Sequence, residues 1–399
     1  MRTLIAPSRS ARQDTDRVFV ICAVLCLIGL LMLMSAGAFV GAGGALGDDP
    51  YRLFKRQAVA LLLALGLYCV VRRVPLTWMD RGARLGLLLA CLMLVLVLIP
   101  GLGSVEGNAR RWFRFGPVSF QPSEFAKLAL VLFLAHFLSR QRHCLNDFRT
   151  GVVPVVAVIM VVAGLVALEP DLGTAVLLAV VGFTMLIVAG VRVRHLLPFV
   201  GFALPVLVGV MALRFEHIIP RIKAFLDPMG CYQTRQSLLA LGSGHWFGRG
   251  LGEGRQKLAF LPQIHGDFLF AGIGEELGLV GCLLVLGLFA AFLVCSVRLL
   301  GRVRQPFPFF LGVGIVALVG LQAAMNIAVV TATVPPKGIA LPFLSQGGTS
   351  LLVMFAALAL LVAAGRTAGD VEGATGQQYG CTRTGKQRRA TSRLRGSEA

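Results

Sequence analysis

The stretch HGDFLFAGIGEELGLVG, residues 265–281, opens a long apolar segment that continues to Val294 and carries three acidic residues at its start. Asp267, Glu275 and Glu276 stand among phenylalanine, leucine and isoleucine. A carboxylate at membrane depth costs about 3 kcal/mol on insertion scales, so acidic residues in such a segment are candidate functional groups. The pattern predicts a membrane-spanning helix with a polar, functional end.

The composition of the whole chain agrees with a membrane protein. Of its 399 residues, 56% are hydrophobic and 14% are charged, whereas soluble domains are about 25% charged. The apolar segments are about 17–25 residues long, which suits helices better than the shorter strands of a barrel. We therefore predict an all-α, polytopic membrane bundle of about ten transmembrane helices, with spans at 18–40, 56–71, 84–100, 123–139, 151–168, 174–190, 196–213, 267–295, 307–330 and 348–365.

The chain is strongly basic, with 38 Lys and Arg against 19 Asp and Glu. Basic residues in short loops indicate the cytoplasmic side, whereas long loops are largely exempt from this rule. Most basic residues fall on one side if the N-terminus is cytoplasmic, so we expect both termini there and no nucleic-acid partner. We predict a cytoplasmic N-terminal segment at 1–17 and a transmembrane domain at 18–365, which contains one large extracytoplasmic loop at 214–266. A basic, disordered cytoplasmic tail follows at 366–399.

Polar residues cluster around the loop between the third and fourth spans. Arg110 and Arg111 carry guanidiniums suited to bidentate phosphate binding, and an interfacial anchor explains them equally well. In the following QPSEFAK, Glu124 and Lys127 are three residues apart and share a helix face. They predict a helix cap with an internal ion pair, and Lys127 could also bind a phosphate.

Two further loops bring polar groups to the same side. The motif EPDLGT, residues 169–174, places Asp171 at a helix N-terminus, where capping is its simplest role. Arg235 and Gln236 precede the glycine-rich GSGHWFGRGLG, residues 242–252. Its backbone N–H groups could approach a phosphate or a sugar, although a single glycine-rich turn is a weak signal.

The segment PPKGIALPFLSQGGTS, residues 335–350, interrupts the chain before the last span and contains Lys337, Ser345 and Gln346. Its prolines and glycines forbid a continuous helix. Irregular backbone near membrane depth is tolerated only where it is buried or lines a wet cavity. Together these loops predict a polar cavity at the extracytoplasmic end. Because the chain has no nucleotide-binding motif, a reaction there needs a substrate that is already activated, such as a lipid-linked diphosphate.

Five motifs resemble, in order and spacing, those of the SEDS family of bacterial cell-wall proteins, the FtsW, RodA and SpoVE group. They are GNARRWFRFGPVSFQPSEFAKL, EPDLGTAVLL, YQTRQSLLALGSGHWFGRGLG, KLAFLPQIHGDFLFAGIGEELGLVG and PPKGIALPFLSQGGTS, and the resemblance covers residues 16–365. Lys337 in PPKG, together with DPYRLFKRQ at 49–57, resembles the cell-division branch more than the elongation branch.

The resemblance implies a peptidoglycan glycosyltransferase in the bacterial inner membrane at the division septum. Its substrates would be lipid II and undecaprenyl-diphosphate-linked glycan, and its partners a class B penicillin-binding protein (a transpeptidase) and other divisome membrane proteins. The essential carboxylate of the family maps onto Asp267, and the acidic and basic residues of its QPSE motif map onto Glu124 and Lys127. Gly266 replaces a small hydroxyl residue and Gln346 replaces a tyrosine, which leaves substrate contacts there open.

Asp267 is expected to act without a second catalytic carboxylate. On a helix, Glu275 would lie about 12 Å along the axis from Asp267, beyond the spacing of about 5–10 Å of glycosidase pairs. We predict that Asp267 is the general base and undecaprenyl diphosphate the leaving group. Burial would raise the pKa of Asp267 and a helix N-terminus would lower it, and the sequence leaves that balance open. Positive charge for the diphosphate could come from Arg110, Arg111, Lys127, Arg235 or a divalent cation (Mg²⁺ or Mn²⁺).

Three alternatives remain at this stage. A lipid II flippase would use a similar bundle, although the lack of mid-span carboxylates and of a repeat speaks against it. A non-catalytic division scaffold needs no cavity and predicts that Asp267→Ala still supports growth. An elongation polymerase of the RodA type would perform the same reaction in another process.

Overall fold

The computed structural model describes residues 9–42, 51–106, 109–116, 118–141, 147–199, 201, 225–227, 229–254 and 266–368. The helices within these ranges are α1 (Arg9–Ala42), α2 (Arg52–Val71), α3 (Leu76–Leu98), α4 (Pro122–Arg140), α5 (Val153–Leu168), α6 (Leu172–Val188), α7 (Tyr232–Ser243), α8 (Leu269–Leu300), α9 (Pro306–Val330) and α10 (Gly348–Arg366). The strands are β1 (Ser104–Glu106), β2 (Ala109–Phe115) and β3 (Val118–Phe120).

Eight helical segments among the described residues are long and apolar enough to cross a membrane. They contain α1, α2, α3, α4, α5, α8, α9 and α10, and the fifth includes the π-helical turn Phe148–Val152 that leads into α5. A further apolar helix, α6, has 17 residues. The predicted span at 196–213 lies almost entirely outside the described residues. The predicted multi-pass helical membrane fold is confirmed.

Several helices begin before the apolar runs that predicted them. The first helix begins at Arg9 and not at residue 18, and the third begins at Leu76 and not at residue 84. Pro75 directly precedes α3 in an extended conformation, as expected for the residue before a helix start. In α1 the polar first turns are held by Asp14, which pairs with Arg302 at 2.6 Å and with Arg17 at 3.4 Å. Hydropathy locates the buried part of a span and misses such polar helical extensions.

The eighth helix contains a break that changes where its membrane-spanning part begins. Gly278 has φ 67° and ψ −162°, so it separates Leu269–Leu277 from the rest of α8. The part from 279 to 300 is 22 residues long, about 33 Å as a helix, which alone matches a hydrocarbon core of about 30 Å. The predicted span at 267–295 overlaps the candidate span Leu269–Leu300, and Glu275 and Glu276 lie before the break within it.

The centre of the bundle is formed by α4 and α10, which bury most of their residues, whereas α2 and α3 bury less than a third. The helix α10 packs against α2 and α9, and α4 packs against α3 and α9. The exposed faces of α2 and α3 are apolar, as a lipid environment requires.

A small antiparallel sheet, in the order β1-β2-β3, adds to the all-α prediction. It occupies the connection between α3 and α4, and Val105 in β1 pairs with Arg110 in β2. The register shifts between Ser104, which pairs with Trp112, and Val105, so Arg111 lies at a β-bulge where the regular alternation of side chains is interrupted. The third strand ends at Phe120, and Pro122 then begins α4, which fixes the sheet at this end of the bundle.

Candidate active site around Asp267

Asp267 lies in the turn that precedes α8, and a hydrogen bond to its backbone carbonyl holds it there. The side-chain amide of Asn326 on α9 donates to the Asp267 carbonyl at 2.8 Å and to the Ile339 carbonyl at 2.7 Å. One amide group thus joins the turn to residues 335–340, the PPKGIA segment. A Cβ atom added at Gly338 would lie 3.1 Å from the Asp267 Oδ2 atom, so the backbone of this segment lies against the carboxylate. Glycine at 338 leaves this side of the carboxylate open.

The Asp267 side chain is partly buried, and its charge state is set by its surroundings. Burial raises the pKa of Asp267 to about 6; the nearby Asp171 carboxylate raises this pKa further, and the Arg111 guanidinium opposes the rise. Among the described residues, none donates a hydrogen bond to the Asp267 carboxylate. In the balance that the sequence left open, the raising effect of burial on this pKa exceeds the lowering effect of Arg111.

Arg111 is anchored on the connection between α5 and α6. Its Nε atom donates to the Glu169 carbonyl at 2.8 Å, and a terminal nitrogen donates to the Pro170 carbonyl. The guanidinium therefore has a fixed position from which it acts on both Asp267 and Glu169. A fixed positive charge beside the carboxylates suits an anionic ligand.

Glu169 is fully buried, and within the described part of the chain neither oxygen of its carboxyl group has a hydrogen-bond partner. Burial raises the pKa of Glu169 to about 8; the Asp171 charge adds to the rise and the Arg111 charge reduces it. Glu169 is thus mostly a neutral acid at pH 7, unlike Asp267.

Asp171 caps α6, as the sequence predicted. Its carboxylate accepts from the Thr174 backbone N–H at 3.1 Å and from the Thr174 hydroxyl at 2.8 Å. The next turn of the helix touches the PPKGIA segment, because a Cβ atom at Gly173 would lie 3.0 Å from the side chain of Ile339 and 3.4 Å from Lys337 Cβ. The cap thus serves the fold and also places a negative charge near Asp267.

Lys127 and Glu124 form a buried ion pair at 2.8 Å, and Lys127 is 1% exposed. The ammonium also donates to the Gln322 side chain at 2.9 Å, and the Gln322 amide in turn donates to the Ala340 carbonyl at 2.9 Å. The chain of contacts ends on the same segment that lies against Asp267. The geometry favours the internal ion pair over phosphate binding, because the ammonium is enclosed and already paired.

The remaining predicted site residues lie farther from Asp267 in the contact network. Ser345 is buried and its hydroxyl accepts from the Leu341 N–H at 2.9 Å, whereas Gln346 is partly exposed. Arg110 is partly buried on β2. On α7, Arg235 is exposed and Gln236 partly exposed, and no contact found among the described residues joins either to Asp267.

Three buried amide side chains belong to the site and were not predicted. Gln322 and Asn326 are four residues apart on α9 and hold the PPKGIA backbone. Gln57 on α2 donates to the Ser345 carbonyl and accepts from the Gly347 N–H, both at 3.4 Å. The signal for the first two was available, since polar residues with helical spacing inside an apolar span indicate a buried functional face.

The glycine-rich segment 242–252 packs on the break of α8 rather than around a ligand. A Cβ atom at Gly244 would collide with the Gly274 carbonyl, and one at Gly248 with the Glu276 carbonyl. The Glu276 carboxylate accepts from the Ser35 hydroxyl at 2.9 Å and from the Gly252 N–H at 3.4 Å. These glycines allow close backbone approach, which gives them a structural role.

A divalent cation is one candidate source of positive charge for the leaving diphosphate. In the ranges that the structure describes, no group of three or more His, Cys, Asp or Glu side chains is arranged to hold a metal ion.

These features define a class: a multi-pass helical membrane protein with a polar site at one end of the bundle, centred on a carboxylate of raised pKa. Residues 16–369 match the family described as "Cell cycle protein", the FtsW, RodA and SpoVE group. The chain belongs to this family, and the resemblance found in the motifs is confirmed.

Curated relatives agree over nearly the whole chain. A "Probable peptidoglycan glycosyltransferase FtsW" of Trichlorobacter lovleyi is 37% identical over 91% of this chain and 95% of its own length. The "Stage V sporulation protein E" of Bacillus subtilis is 38% identical over 88% of this chain and 97% of its own length. The prediction that the chain is an enzyme of the glycosyltransferase class is confirmed by this relationship.

Solved structures share the fold. A chain from a study of "polymerization and crosslinking by a peptidoglycan synthase complex" matches with a TM-score of 0.72 and 28% identity, covering 88% of this chain and 97% of that one. The rod shape determining protein RodA of Thermus thermophilus matches with a TM-score of 0.62 and 29% identity, covering 88% and 95%.

Proposed function

We propose that this protein is a peptidoglycan glycosyltransferase that polymerises lipid II into glycan strands at the division septum. The names of its FtsW relatives and the synthase complex that shares its fold support this activity. The septal role is supported by Lys337 and by the motif at 49–57, which resemble the division branch. We further propose that both termini are cytoplasmic, which leaves the Asp267 end of the bundle on the outer side.

The observation that carries the proposal is the Asp267 carboxylate, whose pKa is raised to about 6 beside a fixed guanidinium. At pH 7 it is mostly ionised and can accept a proton. In the proposed step Asp267 removes the proton from the 4-hydroxyl of the acceptor GlcNAc. The oxygen attacks the anomeric carbon of the growing strand, the bond to the diphosphate breaks with inversion, and undecaprenyl diphosphate leaves with the bonding electron pair.

The leaving diphosphate needs positive charge as its bond breaks. Arg111 has the strongest claim, because its position is fixed and its charge reaches Asp267. Arg110 and Arg235 remain candidates for later contacts with the diphosphate or sugar. Glu124 and Lys127 act as positioning residues that hold the PPKGIA segment, and no step of the proposal is routed through a metal ion.

A class B penicillin-binding protein is the proposed partner, because the structure that shares this fold belongs to a complex for polymerisation and crosslinking. The partner would crosslink the strands that this protein makes. Other divisome membrane proteins are proposed on the same ground of a septal role.

The test is polymerisation of labelled lipid II by the purified protein, with and without its cognate transpeptidase, comparing wild type with Asp267→Asn. Removing a general base costs about 10²–10⁴-fold in rate, so glycan ladders should disappear in the variant. Asp147→Asn is the matched control, because Asp147 is an exposed cap of the turn Phe148–Val152 that leads into α5. It should polymerise like wild type.

Two results would contradict the proposal. Ladders that persist in Asp267→Asn would remove Asp267 from the chemistry and direct attention to Asp171 and Glu169. A wild-type protein that makes no strands even with its partner, while moving labelled lipid II between leaflets, would establish the flippase instead.

A further inference from the structure

The segment 245–251 presents large apolar side chains at the surface. Trp246 is 66% exposed, Phe247 82% and Leu251 60%. Contiguous exposed apolar side chains usually mark an interaction surface. Neither the proposed chemistry nor the glycine contacts of this segment explain why these three side chains point outward.

The position of the segment relative to the membrane follows from two hydrogen bonds to α8. The His245 carbonyl accepts from the Leu279 N–H at 2.9 Å, and the Trp246 carbonyl accepts from the Val280 N–H at 3.1 Å. Leu279 and Val280 are the first residues after the break, where the spanning part of α8 begins. The aromatic pair thus lies at the end of a span.

The exposed face of that span continues from the aromatic pair. Leu279, Val280 and Leu283 are exposed leucine and valine side chains on the helix that crosses the membrane, so they face lipid. Trp246 and Phe247 adjoin this exposed apolar surface through the backbone bonds to Leu279 and Val280, and tryptophan is enriched at membrane interfaces.

Three backbone N–H groups of the segment are hydrogen-bonded within the protein. The N–H groups of Gly248, Arg249 and Gly250 donate to the carbonyls of Gly244, Glu275 and Glu276, at 2.7, 3.0 and 3.1 Å. Backbone groups that enter lipid must be satisfied within the protein, and an aqueous loop has no such requirement.

The segment is also held in one conformation. His245, Gly248, Gly250 and Gly252 have φ between 47° and 109°, a region that glycine adopts without strain and other residues rarely adopt. Gly244 and Gly248 lock the segment against α8 through close backbone contacts. The outward aromatic side chains are therefore built into the fold.

We propose that residues 245–251 form a membrane anchor, with Trp246, Phe247 and Leu251 inserted into the interfacial region of the leaflet at the Asp267 end. The occupant is lipid and not a protein helix, because two backbone hydrogen bonds join the segment to α8 where Leu279, Val280 and Leu283 expose apolar side chains. Arg249 is exposed beside the aromatic pair and can extend its charge to lipid phosphates.

The anchor fixes the height of the site, a consequence that rests on the proposed function. The same short part of α8, Leu269–Leu277, connects the anchor to Asp267. A lipid-linked diphosphate lies at the membrane surface by its own chemistry. An anchor at that level would hold the Asp267 carboxylate near the sugar–diphosphate bond without contacting the substrate.

The test uses tryptophan fluorescence of the full chain in lipid nanodiscs. The protein has three tryptophans, so the double substitution Trp78→Phe and Trp112→Phe leaves Trp246 as the sole emitter. Lipids brominated near the ester linkage should remove most of the emission, lipids brominated near the chain end should remove less, and aqueous iodide should remove little. Strong quenching by iodide with none by brominated lipid would overturn the proposal.

A second measurement keeps the native sequence in case the double variant does not fold. Biosynthetic fluorotryptophan gives one fluorine resonance for each tryptophan, and Trp246→Phe identifies the resonance of Trp246. A nitroxide lipid labelled at the headgroup should broaden that resonance strongly, and a resonance left sharp would contradict the anchor. Neither readout needs polymerisation, so failure of the anchor is distinguishable from failure of the proposed reaction.

Discussion

The two ends of the segment 266–278 carry carboxylates that differ in their burial and in the hydrogen bonds that they accept. Asp267 is partly buried, and no described residue donates a hydrogen bond to its carboxylate. Glu276 is 1% exposed, and its carboxylate accepts from Ser35 and from the backbone of Gly252. One carboxylate is held by its backbone and keeps its oxygens available, and the other uses its oxygens to hold the fold.

The difference shows how one short helix places the proposed catalytic group at one end and a structural carboxylate at the other. The Glu276 end joins α1, α8 and the segment 242–252 into one unit. The Asp267 end meets α9, the PPKGIA segment and the charges of Asp171 and Arg111. Burial by itself therefore does not separate Asp267 from Glu276; the hydrogen bonds that their carboxylate oxygens accept do.

Gly248→Ala should have the largest effect on the Glu276 end. The new methyl group would collide with the Glu276 carbonyl, and φ at this position is 80°. The left-handed conformation costs a non-glycine residue about 1–2 kcal/mol, and overpacking adds about 1–3 kcal/mol. We expect the free energy of unfolding, measured by denaturant titration in micelles, to fall by about 2–5 kcal/mol in total.

The matched control for this change is Gly287→Ala in the spanning part of α8, where an added Cβ would meet nothing within 4 Å. Alanine is favoured over glycine in a helix by about 1 kcal/mol, so stability should stay equal or rise. Equal stability losses in both variants would show that the Gly248 contact is not specific.

Glu276→Ala should have a smaller effect of the same kind. The change leaves the Ser35 hydroxyl and the Gly252 N–H without this acceptor, and a buried donor left unsatisfied costs about 1–3 kcal/mol. The unfolding free energy should fall by about 2–3 kcal/mol, and Glu276→Gln, which retains an acceptor oxygen, should lose less. If Glu276→Ala abolished polymerisation by protein of unchanged stability, Glu276 would belong to the chemistry and the contrast with Asp267 would be wrong.

The helical membrane fold could be predicted from the sequence, and so could the acidic residues at the start of α8, because long apolar runs and the charges within them are local features. The sequence was also sufficient for the Asp171 cap and the Glu124–Lys127 pair, which follow from short spacings along one helix. The break at Gly278 could not be predicted, because it depends on a segment more than twenty residues earlier packing against α8.

Contacts between residues far apart in the sequence were likewise not predicted in the site. Asn326 contacts Asp267 across 59 positions and Ser35 contacts Glu276 across 241, so neither contact is encoded in local spacing. The glycine-rich segment shows how a composition can serve more than one purpose. Its composition suggested a phosphate loop, whereas its glycines permit backbone contact with α8.

The smallest expected effect, a shift of the pH profile, tests the Asp267 end directly. A general base works only when deprotonated, so the acidic limb of kcat/KM for wild type should fall as pH drops through about 6, the pKa of Asp267. Asp171 raises this pKa and Arg111 lowers it. Asp171→Asn should therefore move the limb to lower pH, and it keeps a helix cap because asparagine caps as well as aspartate. Arg111→Gln should move the limb to higher pH.

Opposite shifts of the acidic limb in the two variants, measured by initial polymerisation rates across pH, would identify Asp267 as the titrating base, since a general loss of stability would move both variants in one direction. A limb that stays fixed in both variants would mean that another group titrates.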